Sequence, residues 1–448
     1  VSHSITHPKL EDSTAFCANY AKIKMVIGRL TMIVYEFKLK GKVDQYKAVD
    51  DAIRTSQFIR NKCLRYWMDN IGVNKYDLNK YTARLAKEFS FANELNSTAR
   101  QASAERCWSG IARFFDNCKK KLKGKKGFPN FKKNQRSVEY KKSGWKLSEN
   151  RKTIAFTDKK GMGTFKLIGT HDLHFYQIDQ IQRVRLVKRA DGYYCQFCIS
   201  VDVKQTVEPT GKTIGLDVGL NHFYVDSEGN KVENPRYLRK SQKKLKRLQR
   251  RVSKKVKGSK NRRKAVNRLC RQHLKVSRQR KDFAVKLARC VVMSNDIVAF
   301  EDLKVKNMVK NRHLASSIND AAWSLFREWI EYFALKFGKV AIAVPPHYTS
   351  QNCSGCGATV KKSLSVRTHV CKCGCVLDRD KNAAVNILVK ALQLLGYISN
   401  TVGHTEINAS GETTLYLNLE TVLKQGHSLK EESHLNSVGV IHELPLRR

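Results

Sequence analysis

Two sets of side chains in this sequence are spaced for metal chemistry. Five of its thirteen cysteines fall between Cys353 and Cys375. Cys353-x-x-Cys356-Gly reads as one knuckle, and Cys371-x-Cys373-Gly-Cys375, 14 residues further on, as a second. Tetrahedral Zn²⁺ takes four thiolates from two such turns, each followed by a small residue that lets backbone amides approach the sulfurs. Gly follows Cys356 and Cys373. That favours Cys353, Cys356, Cys371 and Cys373 as ligands and leaves Cys375 spare. The second knuckle offers three sulfurs, so replacement of Cys373 by Cys375 stays open. A closed four-thiolate site has no position for water, so its zinc is structural.

The second set is made of carboxylates. Asp217 lies in the apolar strand pattern "TIGLDVG", Glu301 ends "IVAFE", and Asp380 opens the helical pattern "DKNAAVNILVKAL". On a helical wheel Asp380 shares a side with Ala384, Ile387 and Ala391, so it points toward a core. Asp378 precedes the helix and suits a cap or a partner for Arg379. Taken singly, each acid reads equally well as a cap or an ion-pair member. Gathered, three carboxylates in apolar surroundings need cations to neutralise them. Hard oxygen ligands suit Mg²⁺ or Mn²⁺, and two such ions can clamp a scissile phosphate.

Strands and helices must place these groups. Ile33, Tyr35, Phe37 and Leu39 alternate as in a strand. Helical spacing follows over about 44–70, with Val49, Ile53, Ile59, Cys63 and Tyr66 on one side, and again over about 97–122. Residues 136–205 return to strands, with a hairpin turning at Asp191-Gly192. Cys195 and Cys198 sit in that hairpin, where an offset of three puts them on opposite faces; they read as packing residues. A new domain starts at Lys212 with strand, tight connection and strand. The stretch "SINDAAWSLFREWIEYFALKFGK" reads as one amphipathic helix with Ile318, Ala322, Leu325, Trp329 and Phe333 inward and Gly338 as its stop. Residues 1–31 show no period, and translation is expected to begin at or near Met32. Residues 397–448 read as a disordered tail.

Charge is the strongest global signal. The 448-residue chain carries 85 Lys and Arg against 39 Asp and Glu, a net +46. A chain this basic calls for a polyanionic partner, and nucleic acid leads. No run of about 18 apolar residues and no signal peptide is evident, which argues against a membrane. Clustered cysteines without a leader point to metal ligation in a reducing cytoplasm, with association to the nucleoid when DNA is bound. Residues 236–281 hold 22 Lys or Arg and no acid. Leu245, Leu248 and Val252, then Val266 and Leu269, supply a thin apolar stripe, so two basic helices are expected. Candidate phosphate contacts there are Lys243, Lys244, Lys246, Arg247, Arg250, Arg251, Arg262, Arg263 and Lys264. A basic loop at 119–137 interleaves Phe128 and Phe131 with Lys125, Lys126 and Lys132, suited to phosphates and an exposed base.

The order of these motifs resembles the TnpB (OrfB) proteins of bacterial insertion sequences, which are related to the type V CRISPR effector nucleases. "MIVYEFKLKG", "GFPNFKK", "IGLDVG", "VAFEDL", "YTSQNCSGCG", the double knuckle and "DRDKNAA" follow one another as in that family, over about residues 32–395. The resemblance implies an α/β multidomain chain. It implies a β-barrel (wedge) domain over 32–205 with a helical recognition domain inserted at about 44–125. A RuvC-like, RNase H-like nuclease domain follows at 212–350, carrying the basic helical hairpin at 236–294. A zinc ribbon at 351–376 interrupts it, and 377–396 completes it. It further implies a guide RNA from the transposon end, a short adjacent motif in duplex DNA, and cleavage of both strands by Asp217, Glu301 and Asp380. The acid before "xNAA" is the family's third, which selects Asp380 over Asp378. The second knuckle, CxC here, departs from the usual CxxC. Rival readings are a strand-transferring transposase, a non-enzymatic nucleic-acid binder and a nuclease without a guide.

Overall fold

The structure, a computed structural model, describes residues 32–396 apart from 121–123, 125, 160, 202, 203, 206 and 364. The expected extension, the expected tail and Lys125 lie outside the described residues. The chain divides at residues 203 and 204 into two compact units.

The first unit opens with β1 (Ile33–Lys40). Four helices follow: α1 (Val43–Asp69), α2 (Lys75–Glu88), α3 (Ser90–Glu94) and α4 (Ser97–Lys119). Six strands complete it: β2 (Ser137–Lys141), β3 (Trp145–Leu147), β4 (Thr153–Phe156), β5 (Thr164–Ile168), β6 (Ile181–Arg189) and β7 (Gly192–Ile199). They form one antiparallel sheet in the order β2-β6-β7-β1-β5-β4-β3, so the helices are an insertion between β1 and the rest. Its end strands are β2 and β3, and no ladder among the described residues joins them. Helix α1 buries Val49, Ile53, Ile59 and Cys63 as its period requires, with Tyr66 packed at the edge. The sequence reading passes over α2, although Asn74 caps it by accepting from the Tyr76 and Asp77 amides at 2.7 and 3.2 Å. Cys195 and Cys198 are both buried packing residues, because β7 is covered on both faces.

The second unit is built on five strands: β8 (Thr213–Val218), β9 (His222–Asp226), β10 (Lys231–Glu233), β11 (Ile297–Glu301) and β12 (Val340–Val344). Their order is β10-β9-β8-β11-β12. β8, β11 and β12 run parallel, and β9 and β10 fold back antiparallel. Between β10 and β11 come α5 (Tyr237–Ser253) and α6 (Lys260–Ser294), the expected basic hairpin. Between β11 and β12 lie α7 (Val305–Met308), α8 (Ala315–Ala321) and α9 (Trp323–Phe337). After β12 come a two-stranded ribbon, β13 (Thr368–Val370) with β14 (Val376–Asp378), and α10 (Arg379–Leu394).

The single helix expected over residues 317–338 is two helices. Ala322 takes a left-handed conformation, φ 57°, between α8 and α9. Asp320, in the last turn of α8, accepts from the Leu238 and Arg239 amides that open α5. Gly338 ends α9 with φ 67°, as expected.

Strand alternation sorts the two faces of the sheet. Ile297 and Ala299 pack with Ile387, Ala391 and Leu392 of α10. Phe300 lies on the opposite face, under the Arg327 guanidinium of α9. No helix among the described residues is long and apolar enough to cross a membrane.

Candidate active site and metal centre

Parallel pairing brings the first two acids together. Phe300 pairs with Leu216, and Glu301 and Asp217 follow them at the carboxyl ends of β11 and β8. Ligands bind at that end of open α/β sheets. Both acids continue the alternation that faces α10, Asp217 from Gly215 and Glu301 from Ala299.

Helix α10 brings the third. It lies so close on β8 that a Cβ built on Gly215 would stand 2.2 Å from the Ala384 carbonyl oxygen. Asp217 is two residues beyond Gly215, about 6.6 Å along the strand. Asp380 is four residues before Ala384, about 6 Å back along the helix. The helix therefore runs against β8 and delivers Asp380 to the level of Asp217. Asp378 is the cap: its Oδ1 accepts from the Asp380 amide at 2.8 Å, and its Oδ2 meets Lys231 Nζ at 2.6 Å. Asp380 is thereby freed from capping. Its side chain is 24% exposed, with Arg367 Nη1 at 3.7 Å.

The electrostatics match this placement. Burial, then the charges of Glu301 and Asp380, push the Asp217 carboxyl well above the usual carboxylate range. Burial also raises Glu301, although the Thr349 hydroxyl and the Lys390 charge work against it. Burial disfavours ionised Asp378, but Lys231 and the Asp380 and Lys381 amides outweigh it and hold that group low. The charges of Glu301 and Asp380 thus disfavour the ionised form of Asp217, an arrangement that a bound cation would relieve. They are not one tight cluster: the metal-ligating group within 4.8 Å among the described residues is that of the cysteines.

That group is Cys353, Cys356, Cys371 and Cys373. Cys353 and Cys373 Sγ are 3.6 Å apart, as are those of Cys356 and Cys371. Zn–S bonds of about 2.3 Å in a tetrahedron imply sulfurs roughly 3.8 Å apart, so the cage fits zinc. Gly357 and Gly374 take φ of 76° and 87°, which lets each knuckle close tightly. Cys375 stands outside the four, although its carbonyl accepts from the Cys371 amide at 3.0 Å. Burial opposes ionisation of Cys353, but the Cys356 and Gly355 amides and His369 lower it to about 6. His369 is fully buried on β13.

The basic candidates separate. Lys243, Lys244, Lys246, Arg247, Arg250, Arg251, Arg263 and Lys264 are exposed. Arg262 instead donates Nη1 to the Val252 and Lys255 carbonyls and holds the α5–α6 turn. Val266, expected in the apolar stripe, is 37% exposed; the buried stripe of α6 runs through Val276, Ala284, Val285, Ala288, Val291 and Val292. In the first unit Phe131 and Lys132 are exposed and Lys126 is partly so. The Lys132 backbone is clasped by the Asn61 amide at 2.8 and 2.9 Å. Phe128 is exposed on one side and packs its ring on Trp67 and Phe114.

Sequence reasoning missed Thr349, Asn382 and Asn386. Thr349 Oγ1 donates to Glu301 Oε1 at 2.7 Å. Asn382 and Asn386 tie α10 to the loop before the first knuckle. Two asparagines four apart on an apolar helix face were the available signal.

Comparison with known proteins places the chain among relatives. The OrfB_IS605 family, described as "Probable transposase", matches residues 196–312, which hold Asp217 and Glu301. The "Cas12f1-like, TNB domain" family matches residues 323–387, which hold the four cysteines and Asp380. A "Putative RNA-guided DNA endonuclease" of Streptomyces pristinaespiralis is 32% identical over 316 residues, 68% of this chain and 74% of that protein. A "TnpB-like protein" of Aquifex aeolicus is 28% identical over 56% of this chain and 88% of its own length. Among solved structures, the Cas12f1 chain of a "Cas12f1-sgRNA-target DNA complex" covers 77% of this chain and 83% of its own, with a TM-score of 0.50 and 15% identity; it shares the fold. With a relative 32% identical over 68% of this chain, and two family models matching successive stretches of its second half, the chain belongs to the TnpB (OrfB) family of transposon-encoded proteins.

Proposed function

We propose that this protein is an RNA-guided DNA endonuclease of an insertion sequence, which hydrolyses DNA phosphodiesters with divalent cations held by Asp217, Glu301 and Asp380. The observation that carries the reading is the convergence of these acids on one face at one end of the parallel strands, with Asp217 pushed far from its ordinary ionisation. Bound there, two Mg²⁺ or Mn²⁺ ions would clamp the scissile phosphate, activate a water and stabilise the leaving 3′ oxygen. The chain's own contribution is placement. β8 and β11 fix two carboxylates, and Asp378 caps α10 so that Asp380 remains available. Hydrolysis adds water across the P–O3′ bond and leaves a 3′-hydroxyl and a 5′-phosphate.

In this reading the five-stranded unit is the RNase H-like (RuvC) nuclease domain. The seven-stranded unit is the wedge, with α1–α4 as its recognition helices. Zn²⁺ in the four-cysteine cage is structural, and the ribbon positions the substrate strand. The partners are a guide RNA from the transposon end and a double-stranded DNA target next to a short motif. The exposed cations of α5 and α6, with Lys126, Phe131 and Lys132, contact their backbones and bases. Relatives named RNA-guided DNA endonucleases support this assignment. So does a fold shared with a chain solved with its sgRNA and target DNA.

The test is to purify the protein with its co-expressed flanking transcript, sequence the bound RNA, and incubate the complex with a matching duplex and Mg²⁺. Cleavage dependent on RNA, match and metal is expected. Joining of transposon ends without a guide would favour strand transfer instead.

A further inference from the structure

We propose that Thr349 is a positioning residue for Glu301, and that Asn382 and Asn386 link its hold to the zinc-bearing knuckle. The inference rests on the reading of Glu301 as a cation ligand.

Thr349 is 4% exposed and has one hydroxyl proton to place. Its Oγ1 lies 2.7 Å from Glu301 Oε1 and 3.4 Å from the Pro346 carbonyl oxygen. An ionised carboxylate only accepts, and the short charged contact outcompetes the long neutral one, so Thr349 donates to Glu301. Among the described residues this is the only hydrogen bond Glu301 side-chain oxygens make. Oε1 is thus fixed by protein, and Oε2 is the oxygen left for a cation. Without that bond the carboxylate turns freely about its last torsion, which is broad and roughly two-fold.

The loop carrying Thr349 is bolted to α10. Asn386 Nδ2 donates to the Thr349 and Asn352 carbonyls, both at 2.8 Å. Asn382, fully buried, donates to the same Asn352 carbonyl at 2.8 Å and accepts from the Ser354 amide at 2.9 Å. Cys353 stands between Asn352 and Ser354, so the two asparagines grip both sides of a zinc ligand. One helix therefore carries Asp380, anchors the first knuckle and steadies the residue that aims Glu301. Closure of the thiolate cage would hold Asn352–Ser354 in register, and through Thr349 would preset Glu301 for its cation.

Thr349→Val is nearly isosteric and removes the donor, while Thr349→Ser keeps it. Mn²⁺ affinity is read by calorimetry on the RNA-loaded protein, together with the half-saturating Mg²⁺ for cleavage. Loss of an outer hydrogen bond to a metal ligand weakens affinity about 10- to 100-fold. Thr349→Val is expected to lose Mn²⁺ affinity by that factor with zinc content and RNA binding unchanged, and Thr349→Ser to stay near wild type. Stripping zinc with a chelator is expected to lower Mn²⁺ affinity in the same direction. Wild-type Mn²⁺ affinity in Thr349→Val overturns the role of Thr349. Unchanged affinity after zinc removal overturns the link to the knuckle. Glu301→Ala separates the two levels: if it binds Mn²⁺ and cuts as wild type, the assignment of Glu301 itself fails.

Discussion

Gly215→Ala tests whether the seat of α10 on β8 sets the site. The added methyl would stand 2.2 Å from the Ala384 carbonyl oxygen, 2.9 Å from Leu388 Cβ and 3.0 Å from the Leu388 amide nitrogen. An ordinary contact needs about 3.2–3.4 Å or more, and two of these atoms are helix backbone, so α10 must lift by roughly 1 Å. Overpacking of this kind costs about 1–3 kcal/mol. Asp380 rides on the lifted helix while Asp217 stays on the strand. A misplacement of about 1 Å between reacting groups costs on the order of 100-fold in rate. The assay is single-turnover cleavage of a matched duplex by the RNA-loaded protein, beside a thermal melt. Gly110→Ala, in the middle of α4 with nothing within 4 Å, is the control: it should leave cleavage unchanged and raise the melting temperature slightly, since Ala favours a helix over Gly by about 1 kcal/mol. Cleavage by Gly215→Ala within a few-fold of wild type would refute the argument, because the close approach would then not determine where Asp380 stands.

Three further outcomes are expected. Cys356→Ser and Cys371→Ser should lose zinc in a metal-content assay, whereas Cys375→Ser should keep it. Asp217 and Glu301 are both raised in the metal-free fold, which therefore binds more protons than the unfolded chain above the ordinary carboxylate range; its stability falls as pH rises through that window. Cations bind the ionised form, so Mg²⁺ should bind more tightly as pH rises and release protons measurable by calorimetry in buffers of different ionisation enthalpy. Asp217→Asn should raise the metal-free melting temperature near neutral pH and abolish much of that release. Replacing Arg250 and Arg251 with Gln should reduce the slope of log affinity against log salt by about 0.7–0.9 for each phosphate left without its cation. Arg262→Gln should lower the melting temperature more than the slope, because its guanidinium holds the α5–α6 turn.

The gathering of Cys353, Cys356, Cys371 and Cys373 and the strand-end placement of Asp217 and Glu301 were legible because their signals are local. A carboxylate in or at the end of an apolar strand and a pair of closely spaced cysteines with a glycine after the second each show within a few residues, although a single acid read alone fits a cap or an ion pair equally well. Helix geometry placed Asp380 on the inward side and offered Asp378 as a cap or a partner for Arg379, and the structure shows the cap; the choice of Asp380 over Asp378 came from the family resemblance. The break at Ala322 was not legible, since the apolar period runs through it and alanine rarely takes positive φ. Arg262 looked like its basic neighbours; only the folded turn shows which carbonyls it satisfies. Thr349 lay beyond reach for a different reason: it meets Glu301 across 48 residues of sequence, and a threonine in a polar loop has no pattern of its own. Helix α2 was overlooked because its buried stripe includes Thr82 beside Leu78 and Leu85, which weakens the apolar period.

The central claim is that Asp380, delivered by α10 to Asp217 and Glu301, is an acid of the reaction and Asp378 only its cap. The most direct measurement is single-turnover cleavage of a guide-matched duplex by RNA-loaded Asp380→Ala and Asp378→Ala. Asp380→Ala should bind the target as wild type and leave it uncut, while Asp378→Ala, short of a cap worth about 1 kcal/mol, should still cut. Cleavage near the wild-type rate by Asp380→Ala would contradict the account.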